Sequence, residues 1–441
     1  MSMADVVYYD RELECMSRPQ LETHQLGKLR DQLHRVYEKS PLYRRKLDGA
    51  GIKPDDIQSM EDMHRLPFTE KKELQQSQLE NPPWGDFGCI TPEEAIRVFQ
   101  TSGTTGEPVK IMLNRKDWFE NFYQQFMHYR CGYGLTEKDI LFVPFNYGLF
   151  IAWWGFQAAM EQAGLMIIPG GGQRTKDRLR SMIDWGATVV CGTPSYLLAM
   201  AETAAEMGID LAGSPIRKLV AAGEPGAGIP ATRQALEKSW GAELFDDIGA
   251  TECGNFGHEC IRHKGTHIVE GLFIAEIVDP VTLEPLPDGV LGEMVLTNLS
   301  SESSPLIRYR MRDLVKFDRG VCECGRTNLR LDGGVLGRTD DMFHFAGVNI
   351  YPSQIQEILH CIDALSLEYR LVVPRMGSGR HMKIVVEPAQ ADTKADQLEQ
   401  ACEELAEIVQ TRIKVTPDIE AVEGGSLPRF EGKGKRVIRE D

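Results

Sequence analysis

From about residue 95 to residue 300, short β-rich runs alternate with helical stretches, and this alternation limits the possible folds most. Ile140–Val143, Leu165–Pro169, Thr188–Cys191 and Lys218–Gly223 are apolar runs of strand length. Lys176–Trp185 and Ile229–Trp240 between them carry helical spacing. Strands alternating with helices imply a parallel sheet with crossover helices, which binds ligands at the carboxyl ends of its strands. Several runs end there in polar or glycine turns: Ala222-Gly223-Glu224-Pro225 and Asp247-Ile248-Gly249-Ala250-Thr251-Glu252.

The flanks read differently. Leu26, Leu29, Leu33 and Val36 recur at spacings of three and four and predict an amphipathic helix. After residue 270, Phe273–Val278 and Glu293–Leu299 flank a Pro287-Asp288-Gly289 turn, which predicts an antiparallel, barrel-like subdomain continued by Leu314–Phe317. Gly337–Asp341 is a polar break. Beyond it, Tyr369–Val373 and Met382–Glu387 form a hairpin, and Leu398, Cys402, Leu405 and Val409 mark one helix face. The expected fold is therefore a multidomain α/β chain. Residues 1–338 form a large domain of parallel α/β sheets with the barrel-like unit, and residues 339–441 a small α+β domain.

The 441 residues suffice for two or three domains, and the formal charge of −16 disfavours nucleic acid and anionic membrane as partners. The N-terminus has no basic start followed by an apolar core, and no stretch of about 18 apolar residues occurs, so neither export nor a membrane span is expected. The ten scattered cysteines suit reduced cytoplasmic thiols. Thr101-Ser102-Gly103-Thr104-Thr105-Gly106-Glu107-Pro108-Val109-Lys110 interleaves hydroxyls with glycines, a composition suited to a polyphosphate, without the Gly-Lys-Ser/Thr of a Walker loop.

Taken in order, this loop, Asp247–Glu252, Arg308-Tyr309-Arg310-Met311-Arg312-Asp313, Gly337–Asp341 and Glu431-Gly432-Lys433-Gly434-Lys435-Arg436-Val437 resemble the motifs of the acyl-adenylate-forming enzymes, in particular the phenylacetate–coenzyme A ligase branch. The resemblance spans nearly the whole chain. It implies activation of a carboxylic acid by ATP to an acyl-AMP, followed by displacement of AMP by a thiol, usually coenzyme A. By resemblance, Ser102, Gly103, Thr104, Thr105 and Gly106, with Lys110, hold the phosphates. Glu252 helps hold Mg²⁺, and Thr251 supports the phosphate site. Asp313 accepts the ribose hydroxyls, and Arg338 contacts ribose or phosphate. Asp340 is the hinge. Lys433, with Lys435 as runner-up, clamps the α-phosphate and then swings out as the small domain rotates.

Two positions depart from the family. Ile248 stands where an aromatic residue stacks on adenine, leaving Asp247, Gly249, Ala250 and the Gly223-Glu224-Pro225 turn to hold the base. Arg312 stands where a glycine precedes the aspartate. Phe145, Tyr147, Phe150, Trp153 and Trp154, with Gly170 and Gly171, are the expected acid pocket, and aromatics favour a flat apolar acid. The aryl or arylacetic class comes from the resemblance.

Cys322 and Cys324, one residue apart, can both ligate one Zn²⁺. Some relatives carry a Cys followed by a His seven positions later, which Cys260 and His267 match. His258 and Cys253 are alternative ligands. Acceptors other than coenzyme A, such as a carrier-protein thiol or an amine, remain open, as do a non-catalytic nucleotide- or acyl-binding role and the assembly, monomer or homodimer.

Overall fold

The computed structural model describes residues 6–101, 107–345, 348–359, 361–374, 382–390, 393–429 and 436–440. A nine-stranded sheet forms the centre. Its order is Phe317–Asp318, Arg330–Leu331, Thr266–Ile268, Gly254–Glu259, Glu243–Ala250, Lys218–Ala222, Val189–Gly192, Ile140–Val143 and Met166–Pro169. The five strands from Glu243–Ala250 to Met166–Pro169 are parallel, as the alternation predicts. The other four, which the alternation does not cover, are antiparallel. The reason is local. Only residues 251–253 separate Glu243–Ala250 from Gly254–Glu259, and so short a link permits a hairpin but no crossover.

Four helices cross over between the parallel strands: Ala152–Gln162, Thr175–Asp184, Pro194–Glu206 and Pro230–Trp240. Thr193 caps the third by accepting from Tyr196 N, with Pro194 at its first position, where a missing N–H costs nothing. Trp240 is fully buried against the sheet, its indole N–H donating to Leu197 O at 3.1 Å. A side chain this large, removed to alanine, would cost about 3–5 kcal/mol.

Helix Arg18–Lys39 buries Leu29, Leu33 and Val36, with Leu26 half-buried beside them. The stretch expected to be barrel-like is an open four-stranded antiparallel sheet: Phe273–Val278, Gly292–Asn298, Tyr309–Val315 and Gly337–Arg338. Its outer strands do not pair with each other, and Phe317–Asp318 leaves it for the central sheet.

Beyond residue 340 a second four-stranded sheet runs Asp418–Ala421, Lys383–Pro388, Leu365–Pro374, Val437–Glu440. Helices Pro352–Leu359 and Ala395–Ile413 cover it, and Leu405 and Val409 are fully buried on the expected face. Its core contains only residues from 343 onward. No helix among the described residues is long and apolar enough to cross a membrane.

Candidate active site and metal centre

The hydroxyl–glycine loop is held at its base by a hairpin. Ala95–Gln100 pairs antiparallel with Lys110–Asn114. Thr101 N donates to Val109 O at 2.9 Å, and Val109 N donates back to Thr101 Oγ1 at 3.0 Å. Ser102, Gly103, Thr104, Thr105 and Gly106 lie outside the described residues, as do Lys433 and Lys435. The Lys110 ammonium donates to Pro83 O at 3.3 Å.

Thr251 and Glu252 follow directly from the carboxyl end of Glu243–Ala250. Glu252 is only 8% exposed. Its Oε1 accepts from Tyr309 OH at 3.1 Å and lies 3.1 Å from Lys71 Nζ. Lys71, which sequence reasoning missed, is placed by a strap. Thr69 N donates to Arg308 O and Arg310 N donates to Thr69 O, both at 2.9 Å. The next residue, Glu70, pairs with Arg310 at 2.9 Å and Arg312 at 3.1 Å. Arg310 also pairs with the buried Glu293, and Arg308 with Glu276, at 2.8 Å each. A signal existed: a lysine in the first turn of helix Lys71–Glu80 opposes the helix dipole, so another contact must hold it there.

Arg312 has φ of 64°, the left-handed region that favours glycine. This accounts for the glycine found here in the resembled family, and the ion pairs to Glu70 and Glu293 accompany the replacement in this chain. Asp313, next along, faces Arg338 in the sheet register and accepts from its Nη1 at 2.7 Å. Arg338 Nη2 reaches Asp340 at 3.2 Å. Burial works against the Arg338 charge, but Asp313, Asp340 and Asp341 outweigh it and keep the guanidinium protonated.

Ile248 is 7% exposed, packed over Gly257, and its carbonyl accepts from Tyr129 OH at 2.9 Å. A Cβ on Gly257 would lie 2.7 Å from the isoleucine side chain, so the glycine lets Ile248 pack where it does. Gly249 and Ala250 are less enclosed and expose the strand end. Asp247 is buried and accepts from Asn255 Nδ2 at 2.9 Å; burial, then the charge of Asp246, push its carboxyl well above the usual carboxylate range. On the neighbouring strand, Gly223 turns at φ of 94°, and Glu224 accepts from Ser195 N at 2.8 Å and from its hydroxyl. Pro225 completes that turn.

Asp246 itself carries a pH prediction. Burial, then the charge of Glu259, push its carboxyl up to about 7, against Arg233 and Thr266. Between the ordinary aspartate range and pH 7 the folded state holds a proton that the unfolded chain has released. Stability therefore falls as pH rises through that window, on the order of 1 kcal/mol per pH unit. Asp246→Asn should flatten the slope between pH 5 and 7 in denaturant titrations; an unaltered slope would assign it to another group.

The aromatic residues divide. Tyr147 lies 6.5 Å from Phe145 and 4.6 Å from Trp154, ring to ring, and its hydroxyl donates to Gln157. A Cβ on Gly171 would sit 2.8 Å from Phe145 O and 3.2 Å from the Tyr147 ring, and one on Gly170 2.7 Å from Phe142, so both glycines admit close packing. Beneath them the buried Arg178 donates to Gly170 O, Asn146 Oδ1 and Tyr196 OH. Phe150 is exposed. Trp153 is 4% exposed and packs edge-on against the fully buried Phe156, 5.8 Å away, so it belongs to the core beneath this cluster.

Cys260, His267, Cys322 and Cys324 converge, all buried, with their ligand atoms within 4.8 Å of one another. Strands Thr266–Ile268 and Arg330–Leu331 pair, which brings the two cysteine-bearing turns together. Cys260 Sγ lies 3.9 Å from Cys322 Sγ, and Cys324 Sγ 3.6 Å from His267 Nε2. Tetrahedral Zn²⁺ with bonds of about 2.3 Å to sulfur and about 2.05 Å to nitrogen requires edges of about 3.8 Å and about 3.6 Å. The donor set and its spacing fit. Arg326 donates to Cys324 Sγ at 3.6 Å and to Glu14, which ties the N-terminal helix to the cluster. The alternative ligands lie outside it: the His258 ring stacks on Tyr129 at 5.2 Å, and Cys253 sits beside Glu252 with its thiol toward Gly254 O.

Residues 36–300 match the AMP-binding enzyme family, and residues 347–440 match the AMP-binding enzyme C-terminal domain. A phenylacetate-coenzyme A ligase of Thermus thermophilus is 32% identical over 98% of this chain and 99% of its own length. That of Escherichia coli K12 is 33% identical over 97% and 96%. The crystal structure of 2-hydroxyisobutyryl-CoA ligase in its postadenylation state, with a bound acyl-AMP, superposes with a TM-score of 0.94 at 29% identity, over 100% of this chain and 94% of that one. In its thioesterification state, with acyl-AMP and CoA, the same enzyme gives 0.75 at 30% identity, over 100% and 94%.

Proposed function

The chain belongs to the AMP-binding enzyme family, in its phenylacetate–coenzyme A ligase branch, and is an AMP-forming acid–coenzyme A ligase; we propose that the acid it activates is an aryl or arylacetic acid. The observation that carries this reading is the aromatic cluster of Phe145, Tyr147 and Trp154, with the Tyr147 ring close against Gly171, where the absent side chain makes room for a flat ring.

The first step brings a carboxylate to the α-phosphate of ATP, and both are anions. Cations and N–H donors must screen them in advance. In this reading Lys71, held 3.1 Å from Glu252, adds a fixed positive charge beside the triphosphate. The loop Ser102–Gly106 cradles the phosphates, with Lys110 at its exit. Asp313 accepts the ribose hydroxyls, and Arg338 stands beside it as donor and charge. Thr251 steadies the phosphate end. The exposed edge at Gly249 and Ala250 and the Gly223-Glu224-Pro225 turn flank the base, with Ile248 and the buried Asp247 behind them. Glu252 would hold Mg²⁺, which supplies charge neutralisation on the phosphates when bound; one buried carboxylate beside phosphate oxygens suits so hard an ion. Lys433 contacts the α-phosphate during adenylation. Coenzyme A then attacks the acyl-AMP carbonyl through its thiol sulfur, and AMP leaves.

The division falls at residues 338 and 339, with Asp340 the hinge, next to the Arg338 pair. Cys260, His267, Cys322 and Cys324 hold a structural Zn²⁺. Its full set of four protein ligands leaves no open position for chemistry. The free cysteines support a reducing, cytoplasmic setting.

The test is pyrophosphate release by purified protein with ATP, Mg²⁺ and a panel of aryl, arylacetic and short hydroxy acids, with and without coenzyme A. Acid-dependent release with thioester formation is expected, with kcat/KM at least about tenfold higher for arylacetic acids than for 2-hydroxyisobutyrate, about 1.4 kcal/mol of discrimination. Preference for the short hydroxy acid would reverse the substrate assignment. Release without a thioester would point to a carrier-protein thiol or an amine as acceptor.

A further inference from the structure

The segment that carries Lys433 is bracketed by two arginines. Arg429 is the last described residue before it and Arg436 the first after it. Each is anchored on a buried glutamate of the small domain's sheet. Arg429 Nη2 lies 2.5 Å from Glu387 Oε1, and Glu387 is fully buried on strand Lys383–Pro388. Arg436 Nη1 donates to Glu368 Oε2 at 2.9 Å, and its guanidinium lies 4.6 Å over the Tyr369 ring. These anchors lie within the small domain and travel with it.

Arg429 also faces a carboxylate of the large domain: its Nε lies 3.4 Å from Glu202 Oε2, on helix Pro194–Glu206. This contact depends on how the domains face each other. The orientation that makes it is the one shared with the postadenylation structure rather than the thioesterification one.

We propose that Glu202 is a positioning residue that, through Arg429, holds the small domain in the adenylation orientation. The proposal rests on the reading of Lys433 given above. It explains a double use of charge that folding of the small domain does not need. Glu387 already neutralises Arg429 inside that domain, so the outer carboxylate adds an orientation-dependent attraction. Such a partly exposed pair is individually weak, which suits a clamp that must open every turnover.

Glu202→Gln should lower acid-dependent pyrophosphate exchange about threefold. Glu202→Lys, which sets a second cation against Arg429, should lower it about tenfold. Thioester formation from supplied acyl-AMP and coenzyme A should stay within about twofold for both. The wild-type advantage over Glu202→Gln should shrink in about 0.5 M salt, as screened surface pairs do. Equal losses in both half-reactions, or none in either, would overturn the clamp. Lys433→Ala, run alongside, separates this from the underlying reading: it continues to adenylate only if the role of Lys433 is wrong.

Discussion

Lys433→Ala should lose acid-dependent pyrophosphate release by about a thousandfold, while thioester formation from supplied acyl-AMP survives. The size follows from what the ammonium opposes. As the acid oxygen closes on the α-phosphate, negative charge concentrates on the phosphoryl oxygens. A preorganised donor at that point contributes about 10²–10³ in rate, and a full positive charge sits at or above the top of that range. No described cation is placed to substitute. Lys71 is committed to Glu252 at 3.1 Å, Arg338 to Asp313 at 2.7 Å, and Arg436 to Glu368 at 2.9 Å. The second half-reaction needs attack on a carbonyl with AMP as leaving group, and in the proposed reading the small domain has by then rotated away. The two half-reactions therefore separate in this variant. Loss of both would mean a folding defect, visible in the melting curve, and loss of neither would transfer the role to Lys435.

Much of this arrangement was legible because it is written locally. The alternation between residues 95 and 300 located the parallel strands, and the polar turns at their ends located Glu224 and Glu252. The i, i+3, i+4 spacing of Leu29, Leu33 and Val36 marked a buried face, and all three are fully buried. What stayed illegible depends on pairings across long separations. Lys71 and Glu252 lie 181 positions apart in sequence (252 − 71) and meet only because Thr69 zips onto Arg308 and Arg310. Nothing in residue type told that Gly254–Glu259 turns back on Glu243–Ala250; the short link at 251–253 makes that pair antiparallel. Trp153 and Trp154 are adjacent and chemically identical, yet one is core and the other meets Tyr147. Helix phase decides between them, and an aromatic run does not reveal its phase. At Arg312 the departure from a family glycine was legible, but its meaning needed the φ of 64°.

Cys322→Ser combined with Cys324→Ser should abolish metal binding and lower the melting temperature by roughly 5 °C, with little change in adenylation at room temperature. A metal bound a thousandfold above its dissociation constant contributes about 4 kcal/mol, all of it lost when two of four ligands go. The damage should spread in a defined direction. Arg326 donates both to Cys324 Sγ and to Glu14, Tyr8 donates to the Cys324 carbonyl, and Thr327 N donates to Glu14 O at 3.0 Å. The N-terminal turn Arg11–Glu14 is thus fastened to the cysteine loop more than to the central sheet. Hydrogen exchange should accelerate at residues 8–17 before it does in the sheet. Serine keeps the volume but cannot replace thiolate as a zinc ligand, so the loss is one of metal rather than of packing. Adenylation should persist because Glu252 and Asp313 are held by Lys71, Tyr309 and Arg338, none of which touches the cluster. Elemental analysis of the wild-type protein is the decisive control. About one zinc per chain, absent from the double variant, supports a structural centre. A metal-free wild type with the same melting temperature as the variant would leave the four residues as buried thiols and an imidazole that merely pack together.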